Sequence, residues 1–205
     1  MRDQKEITIK SYDKTAEEYF RVVSKFELFP ELFEFIDLVK PNGRVLDLGC
    51  GPGHHSCFFS KKGFDVIGVD LSENMISIAR KTSPKVNFEV MDISKLNFSS
   101  SCFDGIWASA SLLHIPKKEI HAVLKKLYDQ LKTGGILYLS LKNGDSEAFI
   151  KDNRYGGVKK YYVYYNLEEI EMHLKEVNFK ILNMGLREKR QFYDTNSWIH
   201  IFCKK

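Results

Sequence analysis

The stretch VLDLGCGPG at residues 45–53 joins an apolar run to a glycine-rich loop, and residues able to form a helix follow it. Glycine lets a backbone turn sharply and approach a ligand, and the first N–H groups of a helix lack intrahelical partners. Strand, loop and helix in this order predict a cofactor pocket of nucleotide size. A second apolar run, 64–69, ends at Asp70, where a carboxylate about 20 residues beyond the loop can accept both hydroxyls of a ribose.

The glycine spacing argues against a dinucleotide-binding dehydrogenase. That class has the fingerprint G-x-G-x-x-G, in which the third glycine follows two intervening residues. Here Gly49, Gly51 and Gly53 alternate with other residues, and His54 stands where the third glycine is required. The loop therefore lacks the pattern that cradles a pyrophosphate.

Five ordered segments carry a family resemblance. The sequence DLGCGPG at 47–53 resembles motif I of the class I S-adenosylmethionine-dependent methyltransferases. The other segments are GVDLS at 68–72, VMDI at 90–93, FDGIW at 103–107 followed by LLHIP at 112–116, and LKTGGIL at 131–137. Five matches in order are more specific than one loop, so the resemblance extends over almost the whole chain.

This resemblance implies S-adenosyl-L-methionine as the cofactor and S-adenosyl-L-homocysteine as its product. It places Asp47 near the ammonium group of the methionine part, Asp70 at the ribose and Asp92 at the adenine amino group. The acidic strand ends suit a ligand that carries an ammonium group and no phosphate. Further cofactor contacts are expected at Gly49, Cys50, Gly51, Leu71, Ile93 and Ser109.

The N-terminal segment SYDKTAEEYF at 11–20 has Tyr12, Ala16, Tyr19 and Phe20 on one helical face. Packing in the core is one explanation of this face. The other follows from the resemblance, because many small-molecule methyltransferases use a Tyr-Asp-x-x-Ala-x-x-Tyr segment as a lid over the cofactor. Aromatic rings would exclude water from the sulfonium while a hydroxyl donates or accepts a hydrogen bond. Tyr12 and Tyr19 are therefore predicted cofactor contacts.

Strand and helix patterns alternate along the chain, which indicates βαβ units. The predicted fold is α/β, a three-layer, doubly wound, Rossmann-like methyltransferase fold with a mostly parallel seven-stranded sheet and a C-terminal antiparallel hairpin. With 205 residues, the chain fits one domain. We expect a helical lid at 1–40, the cofactor-binding core at 41–142 and a substrate loop with the hairpin at 143–205. Strands are predicted at 44–48, 64–69, 86–90, 104–109, 136–141, 179–186 and 198–203.

His114 is the candidate catalytic residue, because it follows the fourth strand and its ordinary pKa is close to neutrality. In-line methyl transfer draws much of its rate from positioning, so no base is required. A base, a substrate-orienting group and a structural residue all remain open for His114.

Polar and aromatic residues are concentrated after the fifth strand. Lys142, Arg154 and Tyr162 are predicted to line a pocket for an anionic or aromatic small molecule. The tyrosine run at 161–165 also fits an edge strand protected by lysines. A basic cluster at 186–191 and the aromatic residues leave nucleic acid as a third, weaker option.

The charge balance does not indicate a class of partner, because the chain has 31 Lys and Arg, 27 Asp and Glu, and no long run of one sign. The resemblance implies a small-molecule substrate, and nucleic acid is the less favoured partner. The alternatives are an RNA (tRNA) or protein methyltransferase, and a non-catalytic S-adenosylmethionine-binding regulator. The expected assembly is a monomer or homodimer.

The four cysteines are scattered without a C-x-x-C pair, and no apolar leader follows Met1, so we expect a reduced, cytoplasmic protein. No window approaches the roughly 20 apolar residues of a membrane span. Cys50, His54, His55 and Cys57 invite a zinc assignment, but the glycine loop already explains this segment. No metal is expected.

Overall fold

The computed structural model describes residues 2–25, 28–188 and 197–205. Its helices are α1 (Arg2–Val23), α2 (Pro30–Leu38), α3 (His54–Lys61), α4 (Glu73–Thr82), α5 (Lys117–Gln130) and α6 (Leu167–Glu176). Its strands are β1 (Arg44–Leu48), β2 (Asp65–Asp70), β3 (Asn87–Val90), β4 (Phe103–Ser109), β5 (Leu131–Asn143), β6 (Glu147–Asp152), β7 (Val158–Tyr165), β8 (Lys180–Arg187) and β9 (Trp198–Lys204).

The central sheet has the strand order β3-β2-β1-β4-β5, and all of these neighbours are parallel. β9 then pairs antiparallel with β5, and β8 pairs antiparallel with β9. The predicted α/β fold, with its parallel sheet and C-terminal antiparallel hairpin, is confirmed. Most of the polar loop expected between the last two strands, residues 189–196, lies outside the described residues.

A further hairpin, β6 with β7, follows β5. A strand over the tyrosine run was one of the two interpretations left open, whereas β6 and its pairing with β7 were not predicted. The two strands pair antiparallel, and the end of β7 pairs parallel with Lys142 and Asn143 of β5. The tyrosine run lies in β7 and is mostly buried, whereas β6 is mostly exposed. β6 is thus the outer strand, and the tyrosine run is covered rather than an exposed edge.

Both faces of the sheet are covered by helices, as a parallel sheet requires. One apolar cluster joins the sheet to α5 and α6, and the other joins it to α2, α3 and α4. Trp107 of β4 is fully buried and stacks on Tyr138 of β5, with ring centroids 3.9 Å apart. Among the described residues, no helix combines the length and the apolar character needed to cross a bilayer.

Candidate functional site

The loop after β1 turns as its glycines predict. Gly49 and Gly53 have φ angles of 72° and 82°, in the left-handed region that side chains disfavour. A Cβ on Gly53 would also lie 2.8 Å from Cζ of Phe88, and one on Gly49 would lie 2.4 Å from Cβ of Ser111. The backbone is therefore fixed in a tight turn that only glycine accommodates.

Asp70 ends β2 beside this turn, and the backbone holds its carboxylate in one orientation. The N–H of Gly51 donates to Oδ2 at 2.9 Å, and the N–H of Ser72 donates to Oδ1 at 2.9 Å. Burial raises the pKa of Asp70, and these hydrogen bonds oppose the shift. Each carboxylate oxygen can accept more than one hydrogen bond, so both can still receive a ligand hydroxyl.

Asp92 follows β3 and carries a second oriented carboxylate. Its Oδ1 accepts from the N–H of Ser94 at 2.9 Å, and Lys5 Nζ of α1 donates to Oδ2 at 2.8 Å. Burial acts to raise the pKa of Asp92, but the hydrogen bonds from Lys5 and Ser94 outweigh it and lower this pKa. The carboxylate is thus charged and tied to the N-terminal helix.

A cavity of about 290 Å³ opens over the carboxyl ends of the parallel strands. This volume is near the lower end of the range for small-molecule sites. Most of the predicted site residues line it together, from the loop, the strand ends and α1. They are Tyr12, Tyr19, Gly49, Cys50, Gly51, Asp70, Leu71, Asp92, Ile93, Ser109 and His114.

Helix α1 covers this cavity and is fastened at both sides. Asp13 Oδ1 accepts a hydrogen bond from Ser72 Oγ at 2.6 Å, at the start of α4. On the other side, Ser11 Oγ donates to the Lys159 carbonyl oxygen at 2.5 Å. On the tyrosine face, Ala16 packs in an apolar cluster and Tyr19 lines the cavity, and the lid over a cofactor stays a prediction.

His114 uses both ring nitrogens within the protein. Nδ1 lies 2.5 Å from the Tyr161 carbonyl oxygen, and Nε2 lies 2.8 Å from the Tyr12 hydroxyl. A carbonyl only accepts, so Nδ1 carries the hydrogen and Nε2 accepts from Tyr12. Burial lowers the pKa of His114 to about 4, so the ring is neutral. In this arrangement His114 positions Tyr12, and its Nε2 lone pair is occupied.

Asp47 does not line the cavity, although it belongs to the loop motif. Its carboxylate is buried, and Oδ2 accepts a hydrogen bond from Ser56 Oγ at 2.5 Å. Burial raises the pKa of Asp47 to about 7, and the Ser56 hydrogen bond opposes the shift. Its predicted place near an ammonium group stays a prediction.

Lys142, Arg154 and Tyr162, the residues predicted to bind the acceptor, are absent from the cavity lining. Arg154 makes two hydrogen bonds to Asp152, from Nε at 2.7 Å and from Nη2 at 2.9 Å. Lys142 Nζ lies 4.3 Å from the centroid of the Tyr162 ring, which in turn packs against the His114 ring. Tyr162 therefore lies between His114 and Lys142, and Arg154 shares Asp152 with Lys160.

The structure adds a polar cluster that the sequence did not indicate. Glu31 of α2 is fully buried and forms an ion pair with Arg187 of β8. Tyr138 Oη lies 2.6 Å from His200 Nδ1, and this nitrogen lies 3.7 Å from Glu31 Oε1. All four residues line the cavity. No local motif links them, because they come from distant parts of the chain.

On the cavity wall, the buried atoms His54 Nδ1 and Ser111 Oγ have no hydrogen-bond partner among the described residues. Burial lowers the pKa of His54 to about 4 and also lowers that of His55, so both rings are neutral. His55 Nδ1 accepts a hydrogen bond from Trp107 Nε1 at 3.1 Å. Buried polar atoms normally find a partner, so these orphaned atoms suit a ligand that supplies one.

The zinc assignment in the loop finds no geometric support. Within the described ranges, the one group of side chains close enough to share a metal ion is His121, His173 and Glu176, on α5 and α6. None of the three lines the cavity.

Solved methyltransferases share this fold. An S-adenosylmethionine-dependent methyltransferase from Methanosarcina mazei has a TM-score of 0.76 and 22% identity, over 88% of this chain and 99% of that one. The 1,6-didemethyltoxoflavin-N1-methyltransferase of Burkholderia thailandensis was solved with 1,6-didemethyltoxoflavin and S-adenosylhomocysteine bound. It has a TM-score of 0.76 and 17% identity, over 97% of this chain and 87% of that one.

Sequence comparison agrees with the fold. A family model described as a methyltransferase domain matches residues 45–135. Phosphoethanolamine N-methyltransferase 3 of Arabidopsis thaliana is 37% identical over 130 residues, which are 60% of this chain and 26% of that protein. The chain spans less than half the length of each such curated relative. Residues 45–135 therefore match a methyltransferase domain, and the whole chain has the fold of solved S-adenosylmethionine-dependent methyltransferases.

Proposed function

We propose that this chain binds S-adenosylmethionine in the cavity and transfers its methyl group to a small-molecule acceptor. The observation that carries the proposal is Asp70, whose carboxylate is oriented by the N–H groups of Gly51 and Ser72 on the wall of the cavity. A carboxylate at this strand end suits the two hydroxyls of a ribose and repels a phosphate.

The residues present fit this cofactor. Asp70 would accept the ribose hydroxyls and Asp92 the adenine amino group, with Leu71 and Ile93 beside the base. The orphaned Oγ of Ser111 offers a further polar partner. Lys5 of α1 donates a hydrogen bond to Asp92, so the adenine amino group would compete with this lysine for the carboxylate. When bound, S-adenosylmethionine supplies a methyl group on a positively charged sulfur.

The residues of the chain would then position the reactants and exclude water from the cavity. Tyr12 and Tyr19 line the cavity from α1, and the Tyr19 ring lies over Gly51, close enough to contact a Cβ there. His114 fixes the Tyr12 hydroxyl, so its proposed role is to position the lid tyrosine. Alignment of the acceptor with the methyl group supplies much of the rate in such a displacement. The proposal does not use Lys142, Arg154 or Tyr162, which lie outside the cavity lining.

A covered cavity of this size supports a small acceptor over a folded RNA or a protein segment. We propose one domain, with the lid at 1–40, the cofactor core at 41–142 and an acceptor side within 143–205. A cytoplasmic location and a monomeric or homodimeric state belong to the same proposal. The four cysteines are free thiols, which suits a reducing compartment.

The test is thermal unfolding and calorimetry of the full chain with S-adenosylmethionine, S-adenosylhomocysteine and NAD. At about 100 times the dissociation constant, a ligand of the native state adds about 2.7 kcal/mol. For a chain of this length that raises Tm by about 5 to 10 °C. Both sulfur compounds should produce the shift, and NAD should not.

Folded protein that gives no heat with S-adenosylhomocysteine would end the proposal. Incubation with methyl-labelled cofactor and a metabolite extract then separates an enzyme from a regulator, because only an enzyme transfers label. Steeply salt-dependent binding of tRNA would instead favour the RNA alternative.

A further inference from the structure

We propose that His121, His173 and Glu176 form a binding site for a divalent transition-metal ion of the Zn²⁺ type, which fastens helix α5 to helix α6. One nitrogen of each histidine and one carboxylate oxygen would hold the ion, with water in the fourth position. None of the three residues lines the cavity, so this inference is independent of the proposed function.

The three side chains meet where α5 and α6 pack together on one face of the sheet. Both helices contribute apolar residues to the same core cluster, among them Leu124 of α5 and Leu174 of α6. His121 is exposed on α5, while His173 and Glu176 are three residues apart on α6 and therefore share a face of that helix. No local motif indicates this site, because its ligands come from two separate helices.

The separations between the ligand atoms fit metal coordination better than hydrogen bonding. Glu176 Oε2 lies 3.3 Å from His121 Nδ1 and 3.6 Å from His173 Nδ1. Both distances are longer than an N–H···O hydrogen bond, which spans about 2.7 to 3.2 Å. Around Zn²⁺, bonds of about 2.0 to 2.2 Å at tetrahedral angles put neighbouring ligand atoms about 3.3 to 3.6 Å apart. The three ligand atoms all lie within 4.8 Å of one another, so one ion reaches all of them after a small side-chain movement.

His173 supplies the observation that points most directly to a bound ion. Its Nδ1 is buried and has no hydrogen-bond partner among the described residues. Buried polar atoms normally have a partner, because burial removes the hydrogen bonds that water would supply. A metal ion between this nitrogen and Glu176 would be the missing partner, and it would fix the tautomer that carries its hydrogen on Nε2.

The local charge also favours a cation. Glu176 is the last residue of α6, where the unpaired carbonyl groups of a helix carry a partial negative charge. Its carboxylate adds a full negative charge at the same place, which is unfavourable unless a cation lies nearby. Lys175, its neighbour in the chain, pairs with Glu171 rather than with Glu176. A dication at the cluster would therefore balance both the carboxylate and the helix end.

Two imidazoles and one carboxylate select among metal ions. Imidazole nitrogen suits Zn²⁺, Cu²⁺ and Ni²⁺, whereas Mg²⁺ and Ca²⁺ prefer oxygen ligands. Two histidines, a glutamate and a water molecule form a known zinc coordination. Only the folded chain brings these ligands together, so the ion would bind the native state and stabilise it. The contact that it strengthens is that of α5 with α6, the helix that leads into β8.

The test is titration of the full chain, free of any added histidine tag, with Zn²⁺ in a calorimeter and with Co²⁺ in a spectrophotometer. One Zn²⁺ should bind per chain, and at about 100 times its dissociation constant it should raise Tm by about 5 to 10 °C. Mg²⁺ at the same concentration should not. Co²⁺ should give the visible bands of a four-coordinate site without the intense near-ultraviolet band of a thiolate ligand, which separates this site from binding by cysteine.

His121→Ala and Glu176→Gln each remove one ligand at an exposed position, so both variants should fold. Loss of a residue that only orients a metal ligand costs about 10- to 100-fold in metal affinity, and loss of a ligand should cost at least as much. Each variant should therefore bind Zn²⁺ at least about tenfold more weakly than the wild type. Glu171→Gln is the matched control, because Glu171 is a carboxylate of the same helix that pairs with Lys175 outside the cluster, and its loss should leave Zn²⁺ affinity unchanged.

Either of two results overturns the inference. One is folded wild-type protein that gives neither heat nor a Tm shift with Zn²⁺. The other is Zn²⁺ binding that is equally tight in the wild type, His121→Ala and Glu176→Gln, because other residues would then hold the ion. Both results leave the proposed function untouched, since the titrations contain no S-adenosylmethionine.

Discussion

Replacing Asp70 with asparagine tests the cofactor site most directly. The amide keeps the shape of the carboxylate but turns one acceptor oxygen into an NH₂ donor. That donor then faces either the N–H of Gly51 or the N–H of Ser72, both of which donate to Asp70 at 2.9 Å. The ribose also loses at least one hydrogen bond to a charged acceptor.

A charge-assisted hydrogen bond contributes about 1.5 to 3 kcal/mol, which corresponds to a loss of affinity of about 10- to 150-fold. The conflict of donors in the loop adds to this loss. Asp70→Asn should therefore bind S-adenosylhomocysteine at least about tenfold more weakly than the wild type in isothermal titration calorimetry at neutral pH. Asp70→Ala, which removes both oxygens, should bind it more weakly still.

Asp104→Asn is the matched control. Asp104 also accepts a backbone hydrogen bond, from the N–H of Arg44 at 2.8 Å, and it pairs with Lys132 at 2.6 Å. It lies near the start of β4, away from the cavity, so its loss should lower stability and leave cofactor affinity unchanged. An Asp70→Asn affinity within twofold of the wild type would refute the ribose assignment.

Three further predictions follow from the lid and the buried ionisable groups. Tyr19→Ala should weaken cofactor binding about two- to tenfold, because it removes one aromatic contact. Phe33→Ala, a change at an exposed phenylalanine, should leave cofactor affinity unchanged. If Tyr19→Ala bound the cofactor as tightly as the wild type, the lid would be refuted. Asp47 has a pKa near 7, and a nearby ammonium lowers it, so cofactor binding near pH 6.5 should release a proton. The heat of binding should then depend on the buffer in the wild type and not in Asp47→Asn; heats equal in all buffers would place the ammonium elsewhere. The pKa of His114 is about 4 in the folded protein, below its value in the unfolded chain. Between about pH 6.5 and 4 the unfolded chain therefore binds more protons at this residue, and the free energy of unfolding falls as pH falls through this range. His114→Gln should lose less Tm than the wild type between pH 7 and pH 5, and an equal loss would contradict the neutral, buried ring.

Local sequence predicted the cofactor half of the site because its signals are contiguous. The glycines after β1 have the positive φ angles that the loop motif implies, and the strand that follows ends at Asp70, one residue beyond the predicted end. The sequence offered a strand over the tyrosine run but only as an exposed edge, because the burial of β7 depends on β6 and on distant contacts such as Ser11 to Lys159.

The roles of individual polar residues were less predictable than their positions. The sequence offers His114 as a base, but whether Nε2 is available depends on Tyr12, which is about a hundred residues away in the chain. Likewise, Asp47 belongs to the loop motif, yet its carboxylate accepts a hydrogen bond from Ser56 of the next helix and does not line the cavity. Hydrogen-bond partners of this kind are chosen by packing, which local patterns do not encode.

By itself, the sequence determined the order of strands and helices, the tight glycine turn and the acidic strand ends, because each depends on neighbouring residues and their backbone preferences. Only the tertiary structure decided which residues form the polar cluster of the cavity. Glu31, Tyr138 and His200 meet there because β9 returns to pair with β5, and α2 packs beside them. Contacts between residues so far apart in the chain exist only after the sheet has formed.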